Sequence, residues 1–238
     1  MAERLASFIS GGGTTMEQIG LAYKRKEIPI KLVLVISSTP KAGGIEKAGK
    51  LGIPHVVVNP DDFRGEDQEV DQEGFGLKLR ERLRDKGVTA ITQNGWLPLT
   101  PENVIDEYRD TIFNQHPGPK EVTGKTKGIQ PHAIVLYIAR HTGRNEGTEV
   151  ITHRVTPKFD EGPTVGITPV PIHLPHDYAK RLQRRALPKE HQLRIELLKQ
   201  LARGDVKEVS SPTQYIKPGE EKILRDARAY ARKRYPEG

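Results

Sequence analysis

The chain has 238 residues and no cysteine, which excludes disulfides, thiolate metal centres and thiol nucleophiles. With 38 basic against 31 acidic residues its formal charge is +7, which favours anionic partners such as phosphorylated metabolites, polyglutamyl cofactors or nucleic acid. No apolar run approaches the roughly 20 residues that cross a bilayer, and the opening MAERLASFISGGG lacks the basic-then-apolar layout of a secretory signal, so a soluble, cytoplasmic protein is expected.

Apolar runs bounded by turn residues alternate with longer amphipathic segments. The pattern predicts a strand over 5–10, a helix over 16–26, a buried strand over 31–37, a short helix over 44–51 and a third strand over 55–58. A helix over 73–86, with Phe75, Leu79 and Leu83 inward, leads to a strand over 88–92, a short helix over 102–108 and a strand over 111–114. This β-α-β alternation argues for an α/β fold with a largely parallel sheet, helices on both faces and ligands at the carboxyl ends of the strands. After Pro119 a polar stretch, EVTGKTKG, reads as a mobile lid, followed by a helix over 132–140. Segments 149–155 and 165–172 alternate like the strands of an antiparallel hairpin with Asp160 and Gly162 in its turn. A helix over 177–203, interrupted at Pro188, a closing strand over 206–209 and a final amphipathic helix spaced by Ile223, Leu224, Ala227 and Ala231 complete the chain. The expected organisation is one domain over 1–209 and a C-terminal extension over 210–238.

Chemistry concentrates in IFNQHPG and VTPKFDEGP. Residues two apart on a strand share a face, so the Asn114 amide can donate to a developing oxyanion while His116 handles protons, and Asp160 adds a carboxylate. Such a trio suits direct acyl transfer without a covalent intermediate. A structural histidine is the commoner occupant of a strand end, so context must choose. SGGGTT follows the first strand and opens the first helix, where free amides and the hydroxyls of Thr14 and Thr15 make an anion site. A tight turn capped by threonine is the plainer alternative. A dinucleotide fingerprint fails because its third glycine falls on Met16, and GKT at 124–126 is not a Walker motif because the required earlier glycine falls on Pro119. His132, His141 and His153 lack ligand spacing and HExxH is missing, so no metal site is expected, although His132 could line a pocket. No GxSxG elbow supports a serine nucleophile. Aromatics are only 5% of residues, so stacking on single-stranded nucleic acid lacks its usual material, and nucleic acid is an unfavoured partner despite the basic charge.

Taken in order, SGGGTT, VISSTPKAGG, WLPLTP, NQHP, DEGP and KEH resemble the motif series of the formyltransferase family over about residues 5–209. The resemblance implies a Rossmann-like formyltransferase fold with a C-terminal antiparallel hairpin, and is nearest to the branch that formylates glycinamide ribonucleotide in purine biosynthesis with 10-formyltetrahydrofolate. It implies Asn114, His116 and Asp160 as the catalytic trio. It also implies Gly13, Thr14 and Thr15 on the substrate phosphate and Glu190 on the ribose or the glycinamide end. Around the folate it implies Trp96, Leu97, Leu99, Thr156 and Phe159, with Arg64 near the same cofactor. The chain departs from the family where HPGPKEVTGKTKG replaces the usual loop after the histidine, where threonines replace Ser-Asn in the phosphate loop, and where Leu97 replaces an arginine. Formylation of another phosphorylated amine, such as a nucleotide-linked amino sugar, is the alternative within enzymes, and a non-catalytic nucleic-acid-binding module is the alternative outside them. A homodimer is compatible with the chain.

Overall fold

The computed structural model describes residues 3–238. Its sheet has seven strands: β1 (Arg4–Ile9), β2 (Lys31–Ser37), β3 (His55–Val57), β4 (Ala90–Gln93), β5 (Ile112–His116), β6 (Thr148–Arg154) and β7 (Thr164–Val170). They lie in the order β3-β2-β1-β4-β5-β6-β7, with β1 to β5 parallel and β6 and β7 antiparallel. The chain winds outward from β1 to β3, then returns to place β4 on the other side of β1. That reversal opens a crevice between the ends of β1 and β4, the usual ligand position in an open α/β sheet.

Successive residues of β1 feed opposite faces, and all are buried from Leu5 to Ile9 because helices cover both sides. On one face Ala6, Phe8 and Ile36 pack with Phe75, Leu79 and Leu83 of α3 (Gln72–Asp85) and Val104 of α4 (Glu102–Glu107). On the other, Leu5, Ile9 and Val35 meet Met16 and Ile19 of α1 (Thr14–Lys24), Ala48 of α2 (Gly44–Lys50) and Leu198 of α7 (Ala179–Arg203). A third cluster joins β6 and β7 to α6 (Gln130–Thr142), α7 and α8 (Glu221–Arg234), in which Ala227 and Ala231 let the helices approach closely.

Three local expectations change. Pro188 does not interrupt α7, which runs unbroken from Ala179 to Arg203. Proline removes only its own N–H, and Leu182, Ala186, Leu193 and Leu197 stay buried on both sides of it, holding the helix together. The closing strand over 206–209 does not form: only Val209 N–H bonds across, to Thr164 O at 2.8 Å. The neighbouring edge strand β7 carries Pro169, which has no donor for a longer ladder. The polar stretch after Pro119 is partly helical, forming α5 (Lys120–Thr123) before the turn that leads to α6.

Candidate active site

Asn114 and His116 lie at the carboxyl end of β5, and the β6–β7 turn brings Asp160 to both. Asp160 sits in the left-handed region with φ 59°, and close by a Cβ on Gly162 would run into the carbonyl oxygen of Arg154, so only glycine fits there. Lys120 Nζ donates to Gly162 O at 2.5 Å and the Lys125 amide donates to Asp160 Oδ2 at 3.0 Å. The rebuilt loop thus fixes the carboxylate through its backbone.

The hydrogen bonds settle the tautomers. Thr123 Oγ1 gives its proton to Pro119 O at 2.8 Å, so at 2.9 Å it accepts from His116 Nε2–H. His116 Nδ1 is then a bare lone pair, turned toward Asp160 Oδ2 at 3.6 Å. His116 is buried, which pushes its pKa down to about 4 against the opposing pull of Asp160, so the ring is neutral. Burial alone would raise the Asp160 carboxyl, but hydrogen bonding from its neighbours, the Lys125 amide among them, holds it below the ordinary range.

The sequence spacing gives His153 no metal-binding role and marks it for no other. It lies directly opposite Asn114 in the β5–β6 register and is buried. Its Nδ1–H donates to Arg154 O at 2.8 Å, leaving Nε2 to accept from Asn114 Nδ2 at 3.1 Å, while the second amide proton goes to Asp160 Oδ1 at 3.3 Å. Both protons of the Asn114 amide are therefore engaged. Donation to a bound oxygen requires one of these bonds to be exchanged.

These groups open into a cavity of about 640 Å³, whose lining includes Gly13, Thr14, Thr15, Trp96, Leu97 and Glu190. Gly13 caps α1 in the left-handed conformation, φ 62°, and no side chain caps the helix, which leaves its first amides facing the cavity. Thr14 Oγ1 lies 3.3 Å from His191 Nε2. Glu190 accepts from Gln115 Nε2 at 2.6 Å, and burial pushes its carboxyl up to about 7. One turn along α7, Arg194 is fully buried, bonds Gln93 O at 3.3 Å and is pulled down by burial to about 9. His132 is also buried on the cavity wall with both ring nitrogens unpartnered, and burial lowers it to about 4.

A narrow arm of about 30 Å³ continues past Asn114 and Asp160 between Leu99, Thr156 and Phe159. Trp96 forms the corner shared by both spaces and is held against Phe8 and Phe75, with ring centroids 4.8 and 6.3 Å away. Arg64 stands apart: it pairs with Asp61 at 2.8 Å, donates to Gln68 O and lines neither space. Among the described residues no group of three or more potential ligands could hold a metal ion, and no helix is long and apolar enough to cross a membrane.

Fold and site together define a Rossmann-like α/β protein with an amide, an imidazole and a carboxylate converging at the switch-point crevice. The formyl transferase family model matches residues 3–198, and the chain belongs to that family. A phosphoribosylglycinamide formyltransferase of Vigna unguiculata is 29% identical over 205 residues, 84% of this chain and 61% of that protein, so the chain spans about three fifths of that relative. The enzyme of the same name from Dictyostelium discoideum is 26% identical across 85% of this chain and 99% of its own length. Among solved structures, phosphoribosylglycinamide formyltransferase of Brucella melitensis superposes with a TM-score of 0.71 at 29% identity, covering 88% of this chain and all of that one. Glycinamide ribonucleotide transformylase 1 of Symbiobacterium toebii superposes with a TM-score of 0.73 at 27% identity, covering 85% and 89%.

Proposed function

We propose that the protein is a cytoplasmic phosphoribosylglycinamide formyltransferase, moving the formyl group of 10-formyltetrahydrofolate to the amine of glycinamide ribonucleotide. The observation that carries this reading is the convergence of Asn114, His116 and Asp160 on one cavity that also holds the uncapped start of α1. The phosphate of the acceptor binds the amides of the Gly13–Thr15 turn, and Glu190 receives the ribose hydroxyls. The pterin of the donor lies against Trp96 and Leu97 and enters the arm between Leu99, Thr156 and Phe159. That arm is far smaller than a pterin ring, so donor binding turns the exposed Leu99 or Phe159 side chain outward.

The acceptor nitrogen attacks the formyl carbon, the new C–N bond forms and the carbonyl π pair moves to oxygen. Asn114 exchanges one of its two amide hydrogen bonds and donates to that oxygen. One proton leaves the attacking nitrogen and one reaches N10 of the folate before the C–N10 bond breaks, so a formamide and tetrahydrofolate result. His116 takes the proton in transit at Nδ1, because Nε2 is committed to Thr123, and the adjacent Asp160 carboxylate stabilises the imidazolium. The test is acceptor-dependent loss of formyl from 10-formyltetrahydrofolate, followed spectrophotometrically with a no-acceptor control. Donor binding without turnover on glycinamide ribonucleotide would overturn the acceptor and move the search to another phosphorylated amine.

A further inference from the structure

The family match ends at residue 198, yet the segment beyond it reaches the cavity. Helix α8 is docked at two points that bracket Arg232. Arg228, one turn earlier, donates from Nε to Val122 O and from Nη2 to Glu121 O, both at 3.0 Å. Tyr235, three residues later, accepts from Gln130 Nε2 at 2.7 Å. With Ala227 and Ala231 buried against α6, the helix cannot rotate without losing these contacts, and Arg232 is held on the cavity lining.

Besides Lys125, which pairs with Glu161 at 3.8 Å, two more cations line the same space, Lys127 from the loop before α6 and Arg184 from α7. Among the described residues none of Arg232, Lys127 and Arg184 has an acidic partner within ion-pairing distance, whereas Arg181 and Arg185, beside Arg184 on α7, both pair with Asp177. Like charges gathered without counter-charges repel one another, and a bound anion relieves that cost. All three line the larger space, which also contains Gly11 to Thr15, and none lines the aromatic arm. Of the two substrates the acceptor, with its phosphate, is the one whose charge they complement in that space.

We propose that Arg232, carried by the C-terminal helix, joins Lys127 and Arg184 in an anion subsite for the phosphate of the acceptor, facing the amides at the start of α1. The helix is thereby part of the substrate site, and the subsite rests on the reading of the cavity as one for a phosphorylated amine. A phosphate between a helix start and guanidinium groups gains charge-assisted hydrogen bonds that neutral substitutes cannot supply.

The test uses the full chain with Arg232→Gln, Arg232→Lys and Arg184→Gln. With glycinamide ribonucleotide, Arg232→Gln should raise the acceptor KM about tenfold or more, leave the 10-formyltetrahydrofolate KM unmoved and change kcat far less than the acceptor KM. Arg232→Lys should recover most of the loss, and Arg184→Gln should shift the acceptor KM in the same direction. An unchanged acceptor KM, or a rise in both KM values with a collapse of kcat, would overturn the proposal, the latter because α8 would then act as a brace alone. Calorimetry with ribose 5-phosphate separates this proposal from the choice of acceptor. Affinity weakened about fivefold or more in Arg232→Gln supports the subsite even if glycinamide ribonucleotide is not turned over. Equal affinity in the two proteins, or none in the unaltered one, overturns it.

Discussion

Replacing Asp160 by asparagine isolates the charge of the carboxylate from its shape. Asp160 occupies the left-handed region at φ 59°, which asparagine adopts readily, and an amide oxygen can still accept the Lys125 N–H. What disappears is the negative charge 3.6 Å from His116 Nδ1. When a proton in transit makes that ring an imidazolium, the pair attracts by about 4–5 kcal/mol at an effective dielectric near 20. Losing that stabilisation slows transfer about a thousandfold. Single-turnover formyl transfer should show this loss, while calorimetry finds both substrates bound within about threefold of the unaltered protein. The His116 ring provides an independent check, because Asp160 opposes the effect of burial. In Asp160→Asn its NMR titration should fall below the value of about 4 expected for the unaltered chain. A rate within tenfold of the original would refute the proton-relay role of Asp160.

Glu190 is raised to about 7, so it gains its charge as pH rises through neutrality; the acceptor KM should fall over that range, and Glu190→Gln should flatten the profile. The same raised carboxyl contributes stability that is present below its ordinary value of 4.5 and is lost as pH climbs to about 7, so chemical denaturation should favour Glu190→Gln more at pH 8 than at pH 5. Gly13→Ala combines a φ of 62° with a Cβ only 2.6 Å from Gly44 Cα. Its strain of at least about 1–2 kcal/mol should lower Tm by several degrees and raise the acceptor KM, and an unchanged Tm would count against the tight turn. Phe75→Ala removes a fully buried ring from beneath Trp96 and should cost about 3–5 kcal/mol of stability; because Trp96 is the sole tryptophan, its fluorescence reports the loosened donor wall directly. Lys125 holds Asp160 with its backbone alone, so Lys125→Gly should keep turnover within about threefold, whereas Lys125→Pro, unable to donate or to reach φ 62°, should lose about a hundredfold.

What the sequence made legible follows from short-range rules. Asn114 and His116 share a face because strand residues alternate, and Asp160 in the turn of a hairpin between two apolar runs returns to that face. The glycines after β1 fall at the turn that opens α1 on the cavity. Hidden residues owe their place to longer-range pairing. His153 meets Asn114 only because β6 joins β5 antiparallel, and no local pattern gives that register. Thr123 sits in a polar stretch that reads as a lid, yet its hydroxyl decides which nitrogen of His116 carries the proton. Arg194 lies in a helix rich in arginines, and only its complete burial distinguishes it from the solvated ones. Arg232 belongs to a face that reads as solvated charge until α8 packs on α6.

The rebuilt loop shows how the site tolerates such freedom. His116 needs an acceptor at Nε2, and Asp160 needs a donor at its carboxylate. The first is met by the Thr123 side chain and the second by the Lys125 amide. A backbone amide is supplied by almost any residue, so the loop sequence can change widely if the chain still turns through φ 62° at position 125 and places one hydroxyl beside His116. The loop in turn depends on α8, because Arg228 binds the Glu121 and Val122 carbonyls of α5 and the Tyr235 carbonyl receives Gln130. A segment outside the family match therefore supports the elements that set proton placement on His116 and Asp160. Loop and C-terminal helix form one structural unit, so a change that undocks α8 removes support from the turn whose amide holds the Asp160 carboxylate.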